Sequence, residues 1–267
     1  MTNERLLSGV KPSGKLHIGN YLGAIRNFLE LQDEYDSYFA VVDLHSLTEK
    51  YDPKKKRQEI LDLFIDFLAL GLDPEKSTVF IQSEVPEHVE LSWIFSCLTP
   101  VSELERMTQY KDFVARGHSA NAGLLTYPIL QAADILIYKP AVVPVGEDQL
   151  QHLELTNTVG RKFNNQFGKT FDPVKPLLTK TPRVMSLLEP GKKMSKSLGD
   201  NHVINLSDEP AVIEKKLARA VTDTGKEKTI SSGTKNLLAL LEVYREVQEC
   251  YSHGNESLHP DQVWKFR

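Results

Sequence analysis

Cysteine is almost absent from this chain. The 267 residues contain two, Cys97 and Cys250, which excludes a disulfide framework and makes a reducing compartment the expected setting. Long hydrophobic runs are missing too, since no window reaches the roughly 18 apolar residues that a membrane-spanning helix needs. The opening Met1-Thr2-Asn3-Glu4-Arg5 has neither an apolar core nor an Arg/Ser-rich amphipathic pattern, so no secretory or organellar signal is expected there. Nor is there a strong charge of one sign. With 32 Lys and Arg against 36 Asp and Glu, the formal net charge is −4, so a nucleic-acid partner would have to meet a local basic surface and bind less tightly as salt rises. No internal repeat or low-complexity tract appears. What remains, with 40% hydrophobic residues, can bury the core of one large α/β domain with a small appendage.

Strand-like and helix-like stretches alternate along the chain. Leu6 to Val10, Phe39 to Leu44, Thr78 to Ile81 and Ala141 to Val145 read as buried parallel strands, short and apolar. Pro53 to Leu70, stopped by Gly71, reads as the amphipathic helix between the second and third. Further helices are expected at Pro86 to Leu98, Pro100 to Arg116, Glu147 to Phe167, Ser207 to Val221 and Asn236 to Tyr251. A polar passage at Gly117 to Gly123 and a Pro-punctuated stretch from Asp172 to Pro182 read as connections. The expected architecture is α/β: a Rossmann-like, doubly wound parallel sheet with a helical insertion over residues 1–200, and a partial helical C-terminal domain over 201–267.

Against this background four stretches carry chemistry. Gly191-Lys192-Lys193-Met194-Ser195-Lys196-Ser197-Leu198-Gly199 is a cationic, Gly-flanked loop without apolar periodicity. Lysines this close repel one another unless an anion lies among them, and the serines add donors; the three lysines alone are equally consistent with a solvated basic loop. After the first strand, Lys11-Pro12-Ser13-Gly14-Lys15-Leu16-His17-Ile18-Gly19-Asn20 leads into helical spacing at Leu22, Ile25, Phe28 and Leu29. A strand, turn and helix in succession aim helix N-terminal amides over the strand end, where an anion is favoured. Taken alone, His17 is an ordinary turn histidine. After the fourth strand, Gly146-Glu147-Asp148-Gln149 puts two carboxylates in a helix's first turn, which suits either simple capping or ligand contact at the carboxyl end of a parallel strand. His152 has no second histidine or cysteine at ligand spacing and reads as a structural helix residue. Finally, Tyr127, Gln131, Asp134 and Tyr138 form one polar stripe on an otherwise apolar helix, with Pro128 suited to its first turn. A stripe of this kind commonly faces water, but here Leu125, Leu130, Ile135, Leu136 and Ile137 on the other faces argue for burial, and a buried carboxylate needs a donor.

The string Lys193-Met194-Ser195-Lys196-Ser197 resembles the signature of class I aminoacyl-tRNA synthetases, and His17-Ile18-Gly19-Asn20 resembles their first signature, with Asn20 in the form associated with the tryptophan branch. Ala132-Ala133-Asp134-Ile135-Leu136 and Gly146-Glu147-Asp148-Gln149 are similar to that branch as well, and the resemblance runs over about residues 4 to 250. Smaller matches are Val42 to Thr48, Gln82 to Pro86, Leu104 to Lys111 and Arg183 to Leu187. Two departures stand out: Gln131 where many relatives carry methionine, and Lys11 where glutamine is frequent.

The resemblance implies activation of L-tryptophan by ATP with Mg²⁺, transfer to tRNA(Trp), a homodimer and a cytoplasmic setting, with no membrane and no DNA partner. It implies that Asp134 accepts the indole N–H, with Tyr127, Gln149, Gln131 and His45 as further amino-acid contacts. For ATP it implies Lys11, Pro12, Ser13, Gly19, Asn20, Gly146, Glu147, Asp148, Val184, Lys193, Met194, Ser195, Lys196 and Ser197, with His17, Lys193 and Lys196 in the catalytic roles. The rival readings are a tyrosyl-tRNA synthetase, a nucleotidylyltransferase of the same superfold and a non-catalytic paralogue. Residues 252–267 resemble nothing in the family's anticodon-reading helices, so the expectation for this chain is amino-acid activation with poor tRNA charging.

Overall fold

The short apolar runs pair side by side, as β-branched and aromatic residues buried on both faces require. In the computed structural model, which describes residues 4–117, 119–178, 184–223 and 229–252, five strands form one sheet. They are β1 (Arg5–Val10), β2 (Asp36–Val41), β3 (Ser77–Ile81), β4 (Val142–Val145) and β5 (Lys175–Leu178). All pairings are parallel and the order is β3-β2-β1-β4-β5, the Rossmann-like arrangement expected. β1 and β2 pair along their whole length, from Arg5 opposite Asp36 to Val10 opposite Val41. β1 and β4 pair only where Leu6 stands opposite Val142.

That brief pairing follows from the residue types. Pro144 sits inside β4 and has no N–H to give to a neighbouring strand, so a continuous ladder on both sides of β4 is not available. β4 instead keeps its register with β5, from Val142 opposite Lys175 to Val145 opposite Leu178. Beyond Leu6, β1 and β4 part toward their carboxyl ends, at the point where strand order reverses direction and where open α/β sheets bind ligands.

The chain divides into two compact units. One comprises Met1–Ser13, Phe28–Ile65 and Leu72–Lys180, and contains the entire sheet; the other comprises Gly14–Asn27, Asp66–Gly71 and Thr181–Arg267. The division expected after residue 200 thus compares with compact units that separate at 180/181, with Gly14–Asn27 and Asp66–Gly71 also grouped in the second. In the first unit, helices Glu87–Leu98, Ala122–Ile137 and Leu150–Phe167 surround a core that includes Phe95, Ile129, Ala132, Leu136, Leu153 and Val159. In the second, helices Pro210–Ala218 and Ser232–Ser252 accompany a smaller cluster of Leu22, Val184, Leu187, Met194 and Val203.

Several local expectations shift. β2 ends at Val41 rather than Leu44, because Leu44–Thr48 turns into a 3₁₀ helix at the strand's carboxyl end. The helix expected from Pro100 to Arg116 is two pieces, Val101–Leu104 and Thr108–Ala115, broken at Met107, whose ψ of 131° is extended. The helix bearing the polar stripe starts at Ala122, capped by Asn121, whose Oδ1 accepts from Leu124 N at 2.7 Å; Pro128 therefore lies in its interior rather than in its first turn. The helix expected from Glu147 begins as a 3₁₀ turn, Glu147–Gln149, and the one expected at 207–221 is shorter, Pro210–Ala218. β5 lay hidden in the Pro-punctuated stretch: Pro176 is tolerated because β5 is an edge strand. The expected match at Arg183 and the passage after Ser252 lie outside the described residues.

Phe39 on β2 has 0% exposure and stacks on Phe28, ring centroids 4.5 Å apart and planes inclined by 17°. Phe39→Ala is expected to lower stability by about 3–5 kcal/mol in urea unfolding, the range for losing a buried phenylalanine. A change below about 0.5 kcal/mol, as a surface site gives, would show that β2 is not central to the core.

Candidate functional site

In the first unit the parting of β1 from β4 opens a cavity of about 440 Å³, within the range of small-molecule sites. Leu7, Ser8 and Gly9 of β1 and Val143, Pro144 and Val145 of β4 line it, joined by Ala40, Val42 and Phe80 from the far side of the sheet. The walls are therefore largely apolar. Polar groups enter from the helix Ala122–Ile137, which presents Tyr127, Gln131 and Asp134 to the same cavity, together with His45, His88, Gln109 and Gln149 from neighbouring segments.

Asp134 is 5% exposed, and both carboxylate oxygens are engaged. Gln82 Nε2 donates to Oδ1 at 2.7 Å, His88 Nδ1 to the same oxygen at 2.6 Å, and His45 Nε2 to Oδ2 at 2.6 Å. Burial opposes ionisation, yet the hydrogen bonds from His45 and His88 outweigh it and hold the carboxyl below its ordinary range. An ionised carboxylate accepts only, so His88 must carry its hydrogen on Nδ1. His88 Nε2, 2.9 Å from Tyr138 Oη, then accepts from the tyrosine when the imidazole is neutral. Among the described residues these three donors leave one of the carboxylate's four lone-pair positions unused, on Oδ2.

Tyr127 Oη donates to Gln109 Oε1 at 2.6 Å and lies 2.7 Å from His152 Nε2. Burial pushes the phenol up to about 12. With its single hydrogen given to Gln109, Tyr127 accepts from His152 Nε2–H, which leaves a lone pair on Nδ1; that atom is buried and has no partner among the described residues. His152 is lowered to about 4 by burial, the pull of Asp148 notwithstanding, so it is neutral. Gln131 Nε2 reaches Gln149 Oε1 at 3.5 Å, and Gln149 Nε2 donates to Asp148 Oδ2 at 2.9 Å. The polar stripe is therefore real for three of its members, while Tyr138, just past the helix end, serves behind Asp134.

Other expected residues of this unit lie at the strand ends. Lys11 pairs with Glu49, and both line the cavity. Pro12 offers its carbonyl to Lys56 Nζ at 3.0 Å, and Ser13 stands with them around a smaller hollow. Gly146, Glu147 and Asp148 follow β4; a Cβ on Gly146 would lie 2.8 Å from Asp148 Oδ1, so glycine lets that carboxylate fold back. Asp148 lies in the 3₁₀ turn Glu147–Gln149 and accepts from the side chain of its neighbour Gln149.

The second unit holds the two signature-like strings. His17 is 7% exposed; its backbone N–H donates to Asn20 Oδ1 at 3.1 Å, and its ring Nδ1 is buried with no partner among the described residues. Burial first, then repulsion from Lys196 and Lys193, lowers it to about 4. A Cβ at Gly19 would lie 3.0 Å from the His17 ring, so a larger residue there would require the imidazole to shift. The lysine loop is not free-floating. Met194 is 3% exposed in the apolar cluster with Val184, its N–H donates to Val184 O at 2.9 Å, and Lys193 bridges antiparallel to Met185. Ser195 caps the 3₁₀ turn Lys196–Leu198, with its Oγ 2.9 Å from Ser197 Oγ. Gly199 ends the turn at φ +115°, a conformation that favours glycine.

Three participants escaped the sequence reading: Gln82, His88 and Gln109. The available signal was the demand itself, because a buried Asp134 requires donors; Gln82 opens the 3₁₀ turn after β3 and His88 lies in the first turn of the helix that follows.

Comparison with known proteins places this geometry. A family model described as tRNA synthetases class I (W and Y) matches residues 2–259. The tryptophan–tRNA ligase of Caldanaerobacter subterraneus subsp. tengcongensis is 49% identical over 247 residues, 90% of this chain and 76% of the relative. A crystal structure of tryptophanyl-tRNA synthetase from Mycoplasma pneumoniae superposes with TM-score 0.80 at 37% identity, covering 96% of this chain and 79% of that one. One from Campylobacter jejuni, complexed with ADP and tryptophan, gives 0.76 at 37% identity, with 87% and 77% covered.

His17 and His152 together make stability acid-sensitive. Each has a folded value near 4 against an ordinary 6.5, so below about pH 6.5 the unfolded chain takes up a proton that the folded one refuses. Their contribution is complete above that pH and is lost progressively down to about pH 4. Urea midpoints measured from pH 7 to pH 4.5 should fall, and His152→Gln should show a shallower fall. An identical slope in the variant would contradict the burial of a neutral His152.

Proposed function

The chain belongs to the class I tRNA synthetases of the tryptophan and tyrosine group, and from that premise we propose how its residues divide the work of a tryptophan–tRNA ligase. The reaction joins the tryptophan carboxylate to the α-phosphorus of ATP, releasing pyrophosphate, and the aminoacyl group then passes to the 3′ end of tRNA. A carboxylate is already a nucleophile, so no covalent enzyme intermediate and no protein general base are required. Catalysis falls to positioning and to cations set where charge develops.

The observation that carries the tryptophan assignment is Asp134: an ionised, acceptor-only carboxylate facing an apolar cavity, held by three protein donors and with one lone-pair position left. An indole N–H fills that position, and the flanking apolar walls suit the ring. His45 holds Asp134 from the cavity side. Tyr127 and Gln131, on earlier turns of the helix that carries Asp134, and Gln149 are polar and suit the amino acid's ammonium end. The curated relative at 49% identity bears the name tryptophan–tRNA ligase, which supports tryptophan over tyrosine.

For ATP the proposed contacts are Lys11, Pro12, Ser13, Gly19, Asn20, Gly146, Glu147, Asp148 and Val184, with Lys193 to Ser197, whose lysines act on the phosphates. His17, neutral near pH 7, adds hydrogen-bonding capacity without adding charge. Mg²⁺ fits as an ion carried by the nucleotide's phosphates, whose charge it neutralises; among the described residues no group of three His, Cys, Asp or Glu is placed to cage a metal. A homodimer is part of the same reading, supported by apolar surface at Val89, 52% exposed, and Trp93, 72% exposed, on one helix of the first unit. A cytoplasmic setting is likewise consistent with the free Cys97 thiol, and no described helix is long and apolar enough to cross a membrane.

Lys196→Ala is expected to slow adenylate formation about 10²–10³-fold, the range for losing one group that acts on transition-state charge, with tryptophan affinity unchanged. An unaltered chemical step in pre-steady-state kinetics would refute the role given to the loop. Asp134→Ala is expected to erase the preference for tryptophan over tyrosine and phenylalanine in pyrophosphate exchange, because the group that reads the indole N–H is gone. A variant that stays selective would remove Asp134 from the recognition site.

A further inference from the structure

A lysine is among the residues least often found buried, and it remains so only with partners. Lys216, on the helix Pro210–Ala218 of the second unit, is 3% exposed. Its Nζ lies 2.7 Å from Asp208 Oδ2 and 2.9 Å from Asp200 Oδ2. The two aspartates differ in setting: Asp208 is buried with the lysine, while the Asp200 side chain is 71% exposed. Asn205 completes the cluster. Its Nδ2 donates to Asp200 Oδ1 at 2.8 Å and to Asp208 Oδ1 at 3.1 Å, and its N–H donates to Asp208 Oδ2 at 2.9 Å.

This cluster reaches both signature strings. Asp200 directly follows Gly199, the last residue of the lysine loop. Asn205 bridges antiparallel to His17, with Ile18 N–H donating to Ile204 O and Leu206 N–H to Leu16 O, each at 2.9 Å. The loop's entry is pinned separately by the Met185–Lys193 bridge and by buried Met194. Its exit is pinned by Asp200, and by His202, whose Nδ1 is 2.8 Å from Ser186 Oγ and whose carbonyl accepts from Leu187 N–H.

We propose that Lys216, acting through Asp200 and Asn205, is a positioning residue that sets the exit of the lysine loop in register with the His17 segment, and so determines how well Lys193 and Lys196 engage the phosphates of ATP. The inference rests on the reading of that loop as the ATP-acting element. The cluster stays charged near neutral pH: burial weighs against Lys216 and Asp208, but their mutual hydrogen bonds prevail, raising the lysine and lowering the aspartate, and the bond from Lys216 lowers Asp200 as well.

Asp200→Ala is the primary test, because an exposed side chain can be removed without leaving a cavity. Pyrophosphate exchange should show kcat/KM for ATP reduced about tenfold or more, within what a small misplacement of reacting groups costs, while tryptophan affinity by equilibrium dialysis and the thermal midpoint stay as in the wild type. Lys216→Met combined with Asp208→Asn removes the buried charges as a pair. It should show the same ATP defect, and adding Asp200→Ala to it should deepen the defect little, since the changes act by one route. Normal ATP kinetics in Asp200→Ala, or an equal loss of tryptophan affinity, would overturn the proposal. Lys196→Ala serves as the control in the same assay. If it too leaves exchange intact, the reading of the loop fails; if it abolishes exchange while Asp200→Ala does not, only the role of Lys216 fails.

Discussion

The site of the first unit depends on the inability of β4 to hydrogen-bond on both sides along its length. Buried strands must place their N–H and C=O groups with partners, and a proline inside a four-residue strand removes one donor outright. β4 meets the constraint by pairing throughout with β5 and touching β1 at a single residue pair. The consequence is an opening between the two central strands, toward which the backbone ends of both point. Every cavity-lining residue of β1 lies beyond Leu6, the point of parting.

An apolar cavity alone would bind apolar groups without discrimination. Asp134 changes this, and it does so at an electrostatic cost that the surrounding elements offset. A carboxylate so buried would ordinarily take up a proton. It is kept ionised by Gln82 and His88, carried on the turn and helix after β3, and by His45, carried on the turn after β2. The proposed reading of one N–H by Asp134 therefore draws on the segments after two strands as well as on the helix that carries the carboxylate. The same low-polarity surroundings that make the unpaired carboxylate expensive make its pairing with the right donor selective, because a ligand without that donor leaves the charge unmatched.

In the second unit backbone wiring replaces a pocket as the organising device. The lysine loop carries no apolar pattern, yet its path is constrained by one buried methionine, one antiparallel bridge and one glycine at positive φ. Such anchors hold the loop's path while leaving Lys193 exposed and Lys196 half-buried. The neighbourhood of positive charge is felt by His17, which burial and the two lysines together keep neutral.

What the sequence by itself determined is the set of local elements and the chemistry they carry. Periodicity located four of the five strands and most helices; the strings around His17, Asp134, Gly146 and Lys193 marked the chemical groups, because backbone geometry at turns and helix starts is a matter of neighbouring residues. Where local signals competed, the reading slipped by a few residues: Asn121 capped a helix earlier than Pro128 suggested, and β5 hid behind Pro176 because tolerance of proline depends on being at a sheet edge. What only the tertiary structure decided is which side chains meet. Asp134 and its donors are separated by 46 to 89 positions along the chain, and no motif announces the pairing of Lys216 with Asp200 and Asp208. Nothing in a linear pattern states that a histidine on one helix will face a carboxylate on another; that follows from strand order and helix packing, and from the requirement that a charge taken out of water find its partners there.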